Sequence, residues 1–578
     1  MPVSFVGIAP SAGKPLSQLD FDLRRRGSKV FIRPSLHVPL AYLEMHRNRL
    51  IFGRVVRLAE SSANAGGLEA AAAFSALAAH FAWNNHPGIF MSPRLERLVR
   101  SIALPPQTSS HDGSNRPIQR VLHVVTELGS VGGHSRLLAR WIEHDSARHH
   151  EVVLTGGSNA QRRSREAQES LGITKVQSIS GSLIERASQL RNRASEFDVT
   201  ILHVHPFDVV PSLAFGRCSD SPPIILVNHA DHVFWLGVIA ADVVASIRDT
   251  GQRLAQTQRG LVESRTFTLP VPLKPPADSN RDSAFRKRMD IPDGAVLMVS
   301  VASAYKFGRP RARQFLRVAD LLLRSVRELY IVVVGPEEQV AWRRRAKKFP
   351  GRLKVVGVMN DLDAVYRSAD LYLDSYPVGS LTSVLEAGSY ELPVVQLEQN
   401  SDPARLLISD DPRISSELLP CSSPTELVDR VQRLTKDETY RRAKGHAIAQ
   451  ALVSAESQSR WHDQLENLLR STTASRRNSQ LRPYAIVDAV EASEGVTKTH
   501  RLICRIHPSS DLRSSYFEHH VDNFPAEFTR RLSDRDRLSR VLARLRAPQT
   551  LRSLVFLVRL SSVARAARRN TLRRGRQQ

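Results

Sequence analysis

Two stretches of the chain set reactive side chains at spacings that suit an anionic, hydroxyl-bearing ligand. In the first, the turn Gly379-Ser380-Leu381-Thr382 leads into a helix predicted over Ser383–Tyr390. A helix start presents unpaired N–H groups and the positive end of the peptide dipole, which suits a diphosphate. Ser380 and Thr382 add hydroxyl donors. Glu386 stands four residues past Thr382, one turn on and on nearly the same face, where a carboxylate can accept both hydroxyls of a ribose. The alternative is that Ser380 and Thr382 only cap the helix and that Glu386 is solvated.

The second stretch is rich in histidine. His203 and His205 share a parity on VTILHVH (Val199–His205), and His229 and His232 close the next apolar run in NHADH. Adjacent strand ends would carry these rings to one place. A neutral imidazole near pH 7 suits a general base acting on a hydroxyl, or a hydrogen-bond donor. His232 is the first candidate for chemistry and His229 the second; His203 and His205 serve equally well as satisfied core groups. His229-x-x-His232 lacks a convincing third ligand in Asp208 or Asp231, so no metal is expected. Gly132-Gly133-His134 follows an apolar run and opens a helix. Glycines there let the backbone approach a ligand closely, and His134 is either a ligand or a surface residue at a helix start.

The elements that must hold these residues follow from hydropathy. Short β-branched runs at Val121–Val125, Glu151–Gly156, Val199–His205, Ile224–His229, Asp242–Ile247 and Thr266–Pro272 alternate with amphipathic stretches. A polar, proline-containing break, Leu273–Ser283, precedes a second series: Val296–Val301, Leu329–Gly335, Leu353–Val358, Leu371–Ser375 and Leu392–Leu397. Helices are predicted over Gly132–His144, Arg313–Arg327 and Ala341–Phe349, and Ser423, Pro424 and Glu426 make a capping box for another. Strand–helix alternation implies parallel sheets covered by helices. The expected class is α/β, with two Rossmann-like domains facing a cleft, a helical N-terminal extension and a basic C-terminal tail. The boundaries are 1–117 (extension, with helices at Ala70–Trp83 and Pro93–Ile102), 118–275 (first domain), 285–470 (second domain) and 471–578 (basic region, partly disordered, with strand-like Tyr484–Ala492 and Thr497–Ile506).

Composition narrows the class. The 578 residues are 42% hydrophobic and 24% charged, ordinary values for a globular protein. Cys218, Cys421 and Cys504 are odd in number and form no CxxC pair, which argues against a zinc cluster or a disulfide framework. No basic n-region precedes an apolar h-region, and no run of about 18 apolar residues occurs, so a cytoplasmic, non-integral protein is expected. P-loop, GxSxG and HExxH motifs do not occur.

The stretch Val355–Val395 resembles the donor-site segment of GT-B glycosyltransferases, chiefly the family-4 type and more distantly the O-GlcNAc transferase type. Gly357, Leu362, Tyr366, Ala369-Asp370, Leu373, Ser375, Glu386-Ala387 and Pro393-Val394-Val395 match that pattern in order and spacing. The resemblance covers about residues 118–470. It implies transfer of a sugar from a nucleotide-diphosphate sugar, a co-substrate, to a hydroxyl-bearing glycan, lipid or protein acceptor, with no further cofactor. It assigns Gly357, Ser380, Leu381, Thr382 and Glu386 to the donor, Lys306 to the diphosphate, and the loop of Gly132, Gly133 and His134 to the donor phosphates and acceptor. Two positions depart from family 4. Val378 stands where a first glutamate is expected, and Val301 where an arginine precedes the lysine; Arg309 is the candidate substitute. Arg248, in ADVVASIRDTG, resembles a cleft-floor segment and pairs either with phosphate or with an ordinary carboxylate. The halved glutamate pair keeps open a non-catalytic protein of this fold that binds nucleotide sugars.

Charge is lopsided. The chain carries +25 overall, and from Arg530 onward there are fifteen arginines against Asp534 and Asp536. Such a field attracts anionic lipid headgroups or nucleic acid, and no stacking set or recognition module supports the latter. The tail is expected either to hold the protein at the inner face of a membrane or to be a solvated, disordered basic end. Full-length chain should co-sediment with anionic vesicles at low salt, and chain ending near Pro525 should not. Equal sedimentation of the two would remove the tail's role.

Overall fold

Two compact units make up the chain: 1–102 with 233–236 and 487–578, and 103–232 with 237–486. The computed structural model describes residues 21–26, 29–34, 39–106, 117–129, 133–217, 221–273, 276, 281–308, 314–336, 340–359, 361–398 and 405–477, with scattered positions from 500 to 564.

The first unit holds a hairpin, β1 (Phe21–Arg26) and β2 (Lys29–Pro34), and helices α1 (Pro39–Ala63), α2 (Leu68–Asn84) and α3 (Pro93–Ile102). The hairpin was not expected from the sequence. Alanine-rich α2 is buried from Ala71 to Ala82; small side chains let neighbours approach it on every side. Phe74 packs edge-on to Phe524 at 5.0 Å, and Phe52 to Phe234 at 5.4 Å. In the tail, residues 555–564 are helical and bury Phe556, Leu557, Leu560 and Val563, while Val558 is 62% exposed. Those buried side chains pack within the protein. Tyr484–Ala492 lies outside the described residues. Within Thr497–Ile506 the described positions His500, Ile503 and Cys504 are helical, not extended.

The second unit contains two parallel sheets. The first domain supplies β3 (Arg120–Val125), α4 (Gly133–His144), β4 (His149–Leu154), α5 (Gly157–Ser170), β5 (Val176–Ser178), α6 (Leu183–Ala194), β6 (Val199–His203), α7 (Val210–Phe215), β7 (Ile224–Asn228), β8 (Val243–Ser246), α8 (Asp249–Arg259) and β9 (Thr266–Thr268). The second supplies α9 (Ser283–Arg288), β10 (Val296–Val301), α10 (Gln314–Ser325), β11 (Leu329–Val334), α11 (Val340–Ala346), β12 (Leu353–Val355), α12 (Asp363–Ser368), β13 (Leu371–Leu373), α13 (Leu381–Ser389), β14 (Val394–Leu397), β15 (Leu419–Cys421), α14 (Pro424–Lys436), α15 (Glu438–Val453) and α16 (Ala455–Arg477). β10 (VLMVSV) and β6 (VTILH) are buried throughout, as strands covered on both faces must be. The Ser423 hydroxyl caps α14 at Glu426 N, 3.1 Å; Glu426 returns to Ser422 N rather than to Ser423, so the reciprocal half of the expected box is displaced by one residue.

Strand order is β5-β4-β3-β6-β7-β8-β9 in one sheet and β12-β11-β10-β13-β14-β15 in the other. Counted within each domain, both begin 3-2-1-4-5-6, the doubly wound order, which reverses direction between its first and fourth strands. The chain leaving β3, β6, β10 and β13 therefore lines a crevice at each reversal. These exits carry Gly133 and His134, His203 and His205, Lys306, and Ser380 to Thr382.

Three elements bind the two domains. Leu269, Val271 and Leu273 of the connection share one apolar cluster with both sheets. Trp461 on α16 returns to the first domain, its indole N–H donating to Pro270 O at 2.9 Å. Arg248, just before α8, is the third. It pairs with both oxygens of Asp231 (2.6 and 2.8 Å) and crosses to Asp410 (2.9 Å), Leu406 O (2.6 Å) and Ile408 O. All five guanidinium donors are used, so of the two roles expected for Arg248 the structure contains the ion pair, and none is spare for phosphate. Replacing Arg248 by Met would strand Asp231 as a buried charge. Its loss should lower unfolding free energy by about 3–5 kcal/mol, measured by urea denaturation; a change near zero would mean the crossing is dispensable.

Candidate active site

Lys306 lies in a short 3-10 turn after β10, Ala304–Phe307. Its ammonium donates to Gly379 O at 3.1 Å and reaches the Ser380 hydroxyl at 3.4 Å. The two residues picked from separate motifs are thus neighbours. Burial pushes the Lys306 ammonium down to about 8, against the pull of Asp374. The Asp374 carboxyl is raised by burial, opposed by the Ser380 N–H that donates to it at 2.9 Å. A Cβ on Gly379 would lie 2.6 Å from Ser409 N and Oγ and 2.8 Å from Asp374 Oδ2, so the turn requires glycine.

The start of α13 faces the start of α4. A Cβ on Gly133 would sit 2.3 Å from Thr382 Oγ1, a separation no side chain can adopt. One turn further on, Glu386 is 7% exposed and fully engaged. It accepts from Arg136 Nη1 at 3.1 Å on both oxygens, from Arg140 Nη2 at 2.5 Å and from Tyr366 Oη at 3.1 Å. Burial first, then the Glu386 charge, keeps the Tyr366 phenol protonated and so a donor. Arg136 and Arg140 were not picked from the sequence, although their spacing on one face of a helix opening with two glycines was visible.

The histidines form two groups. His134, His203, His205 and His229 lie together, with the His134 and His229 rings 4.3 Å apart. Burial, then His134 and His205, holds His229 well below the usual histidine range, so it is neutral and can accept a proton. His134 Nε2 donates to His203 O at 2.6 Å, which leaves its Nδ1 as the acceptor. His232 belongs to the other group: its Nδ1 is 3.5 Å from Asp231 Oδ1, beside the Arg248 pair.

Behind His203 runs a chain that sequence reasoning missed. His150 Nε2 meets Asp145 O at 2.7 Å, His123 Nε2 meets His150 Nδ1 at 2.9 Å, and His203 Nε2 meets His123 Nδ1 at 3.0 Å. A carbonyl only accepts, so His150 carries its proton on Nε2, and the same tautomer propagates to His123 and His203. His203 Nδ1 ends the chain as a buried acceptor with no hydrogen bond among the described residues. The single sequence clue was His123 inside an otherwise apolar run; His150 sits at the polar start of β4 (HHEVVL).

Other expected residues fall as follows. Leu381 begins α13 and packs in the apolar core. Gly357 has φ 70° and its carbonyl accepts from Gly335 N at 2.6 Å, tying β12 to β11. Gly132 and Arg309 lie outside the described residues. Among the described residues no group of three or more His, Cys, Asp or Glu is placed to hold a metal.

Residues 297–437, about a quarter of the chain and most of the second domain, match the family model described as glycosyl transferases group 1. No curated protein matches the chain. Solved structures similar to it include a glycosyltransferase from Rickettsia africae (11% identity, TM-score 0.48, 62% of this chain and 99% of that one). Anabaena HepE in complex with UDP is similar at 14% identity, TM-score 0.47, over 61% of this chain and 100% of that one. A Thermobaculum terrenum O-GlcNAc transferase mutant is similar at 17% identity, TM-score 0.47, over 76% and 85%. Two doubly wound domains in one unit make an α/β fold of two Rossmann-like domains, and the family match falls in the second of them. The protein carries a group 1, family-4-like glycosyltransferase domain.

The neutral histidines set a pH dependence. His123, His134, His150, His203 and His229 are each held below 6.5, in every case chiefly by burial. The unfolded chain binds protons near pH 6.5 while the folded one does not. Stability is therefore complete above 6.5 and falls as pH drops below it, by up to about 1.4 kcal/mol per pH unit for each histidine. The urea midpoint should be lower at pH 5.5 than at 7.5; equal midpoints would contradict neutral burial.

Proposed function

We propose that this protein transfers a sugar from a nucleotide-diphosphate sugar to a hydroxyl-bearing acceptor, a glycan, lipid or protein, in making cell-surface polysaccharide or glycoconjugate. The observation that carries the reading is the Lys306 ammonium against Gly379 and Ser380 at the start of α13, with the start of α4 opposite. Negative charge grows on the leaving diphosphate, and prearranged donors there lower the barrier. Thr382 and Ser380 add hydroxyls, and Glu386 is the carboxylate for the ribose. On the acceptor side, neutral His229 and His134, and His232 beside Asp231, are the candidates to take the hydroxyl proton or orient the acceptor. No helix among the described residues is long and apolar enough to cross a membrane; the basic tail is the element that would bring the protein to a lipid-linked acceptor.

One observation favours a second reading, a non-catalytic binder of nucleotide sugars. Val378 occupies the position of the family's first glutamate, is 4% exposed, and donates its N–H to Lys306 O. Turnover separates the two readings.

A panel of nucleoside diphosphates should raise the melting temperature of the full chain, and the best of them as a sugar conjugate should be consumed when acceptors are supplied. Lys306→Ala should cut turnover at least about tenfold with little change in unliganded melting temperature. Because only the ammonium form attracts phosphate, wild-type affinity should fall as pH rises through about 8, and the variant should lose that dependence. Binding without consumption would favour the second reading, and no binding would exclude both.

A further inference from the structure

Helices α4 and α13 start side by side at Gly133 and Thr382, so their positive ends adjoin. Lys306 adds a third positive element at the same place. One turn along, two guanidiniums share one carboxylate: Arg136 and Arg140 both bind Glu386. That cluster keeps a net positive charge. It also keeps a spare donor, because Arg140 Nη1 is buried and makes no hydrogen bond among the described residues. Glu386, in contrast, is saturated. With Arg136 on both oxygens, Arg140 on one and Tyr366 on the other, it has little capacity left for ribose hydroxyls.

The site as it stands therefore has surplus positive charge with one spare donor, and an acceptor without free lone pairs. A diphosphate resolves both. It carries more charge than one carboxylate and offers several oxygens to planar guanidinium forks. We propose that Arg136 and Arg140 are diphosphate ligands contributed by the first domain. On binding, the diphosphate takes them from Glu386, and the freed carboxylate then accepts the ribose hydroxyls while Tyr366 continues to donate to it. Phosphate recognition and ribose recognition are coupled through one ion-pair exchange. This rests on the nucleotide-diphosphate reading above and names how that site is filled.

The exchange predicts effects of opposite sign. In full-length Arg136→Met/Arg140→Met, affinity for the best nucleoside diphosphate should fall at least about thirtyfold, two charged hydrogen bonds being worth that or more. The matched nucleoside, lacking phosphate, should bind as well as before or tighter, because Glu386 is free. The double Lys variant should recover part of the diphosphate affinity. In Glu386→Gln, whose amide does not compete for the arginines, inorganic pyrophosphate should bind about fivefold or more tighter, while the nucleoside binds more weakly. The Gln variant is nearly isosteric, so it serves if the Met pair does not fold. Diphosphate and nucleoside affinity falling together, or pyrophosphate affinity unchanged in Glu386→Gln, would overturn the exchange while leaving the function standing. If wild-type chain binds no nucleoside diphosphate, the functional reading itself falls, and the exchange with it.

Discussion

Like charge gathered at one point is the constraint on which the rest of the second unit depends. The doubly wound order sends the chain from β3 into α4 and from β13 into α13, and it aims both helix starts at the same crevice. Each start has unpaired N–H groups, and Lys306 joins them. Left alone, such a cluster repels itself. It persists because parallel strands buried on both faces fix the helix positions at a cost that side-chain electrostatics cannot match. The fold thus holds the positive groups together, and its small residue Gly133 is what lets the two starts come so close.

Several contacts cross between the two domains. Arg248 joins Asp231 to the 406–410 segment, and Trp461 anchors α16 to the connection at Pro270. The contact of Glu386 with Arg136 and Arg140 differs from these. Arg248 is saturated by protein groups and buried, so it has no reason to move. The Glu386 cluster carries surplus charge and a spare donor, so it has a reason to accept a ligand. Two superficially similar interdomain ion pairs therefore differ: one uses every guanidinium donor on protein groups, and the other keeps surplus charge and a spare donor.

The histidine cluster beside this crevice depends on burial for a related reason. Burial makes the charged imidazole costly, so His123, His134, His150, His203 and His229 stay neutral, each able to donate once and accept once. The Asp145 carbonyl orders the tautomers along three neighbouring strands, and the His203 carbonyl fixes His134. An apolar core would pack as well, but it could not orient rings at the cleft.

Much of the second unit was legible in the chain itself. Continuous apolar runs such as β6 and β10 can only be strands covered on both sides, and their alternation with helices implies parallel sheets. Lys306, Ser380 and Glu386 were picked out one by one. The short edge strands β5 (VQS) and β15 (LPC) were missed, since neither belongs to an apolar run. What only the tertiary structure decided is which group each charged side chain meets. Spacing along one helix constrains neighbours one turn away, whereas Glu386 finds partners about 250 residues distant and Arg248 about 160. A guanidinium on a flexible stem takes whatever carboxylate the packing of the two sheets brings within reach. That partner is fixed by the distance between domains, a quantity that no local pattern of residues contains.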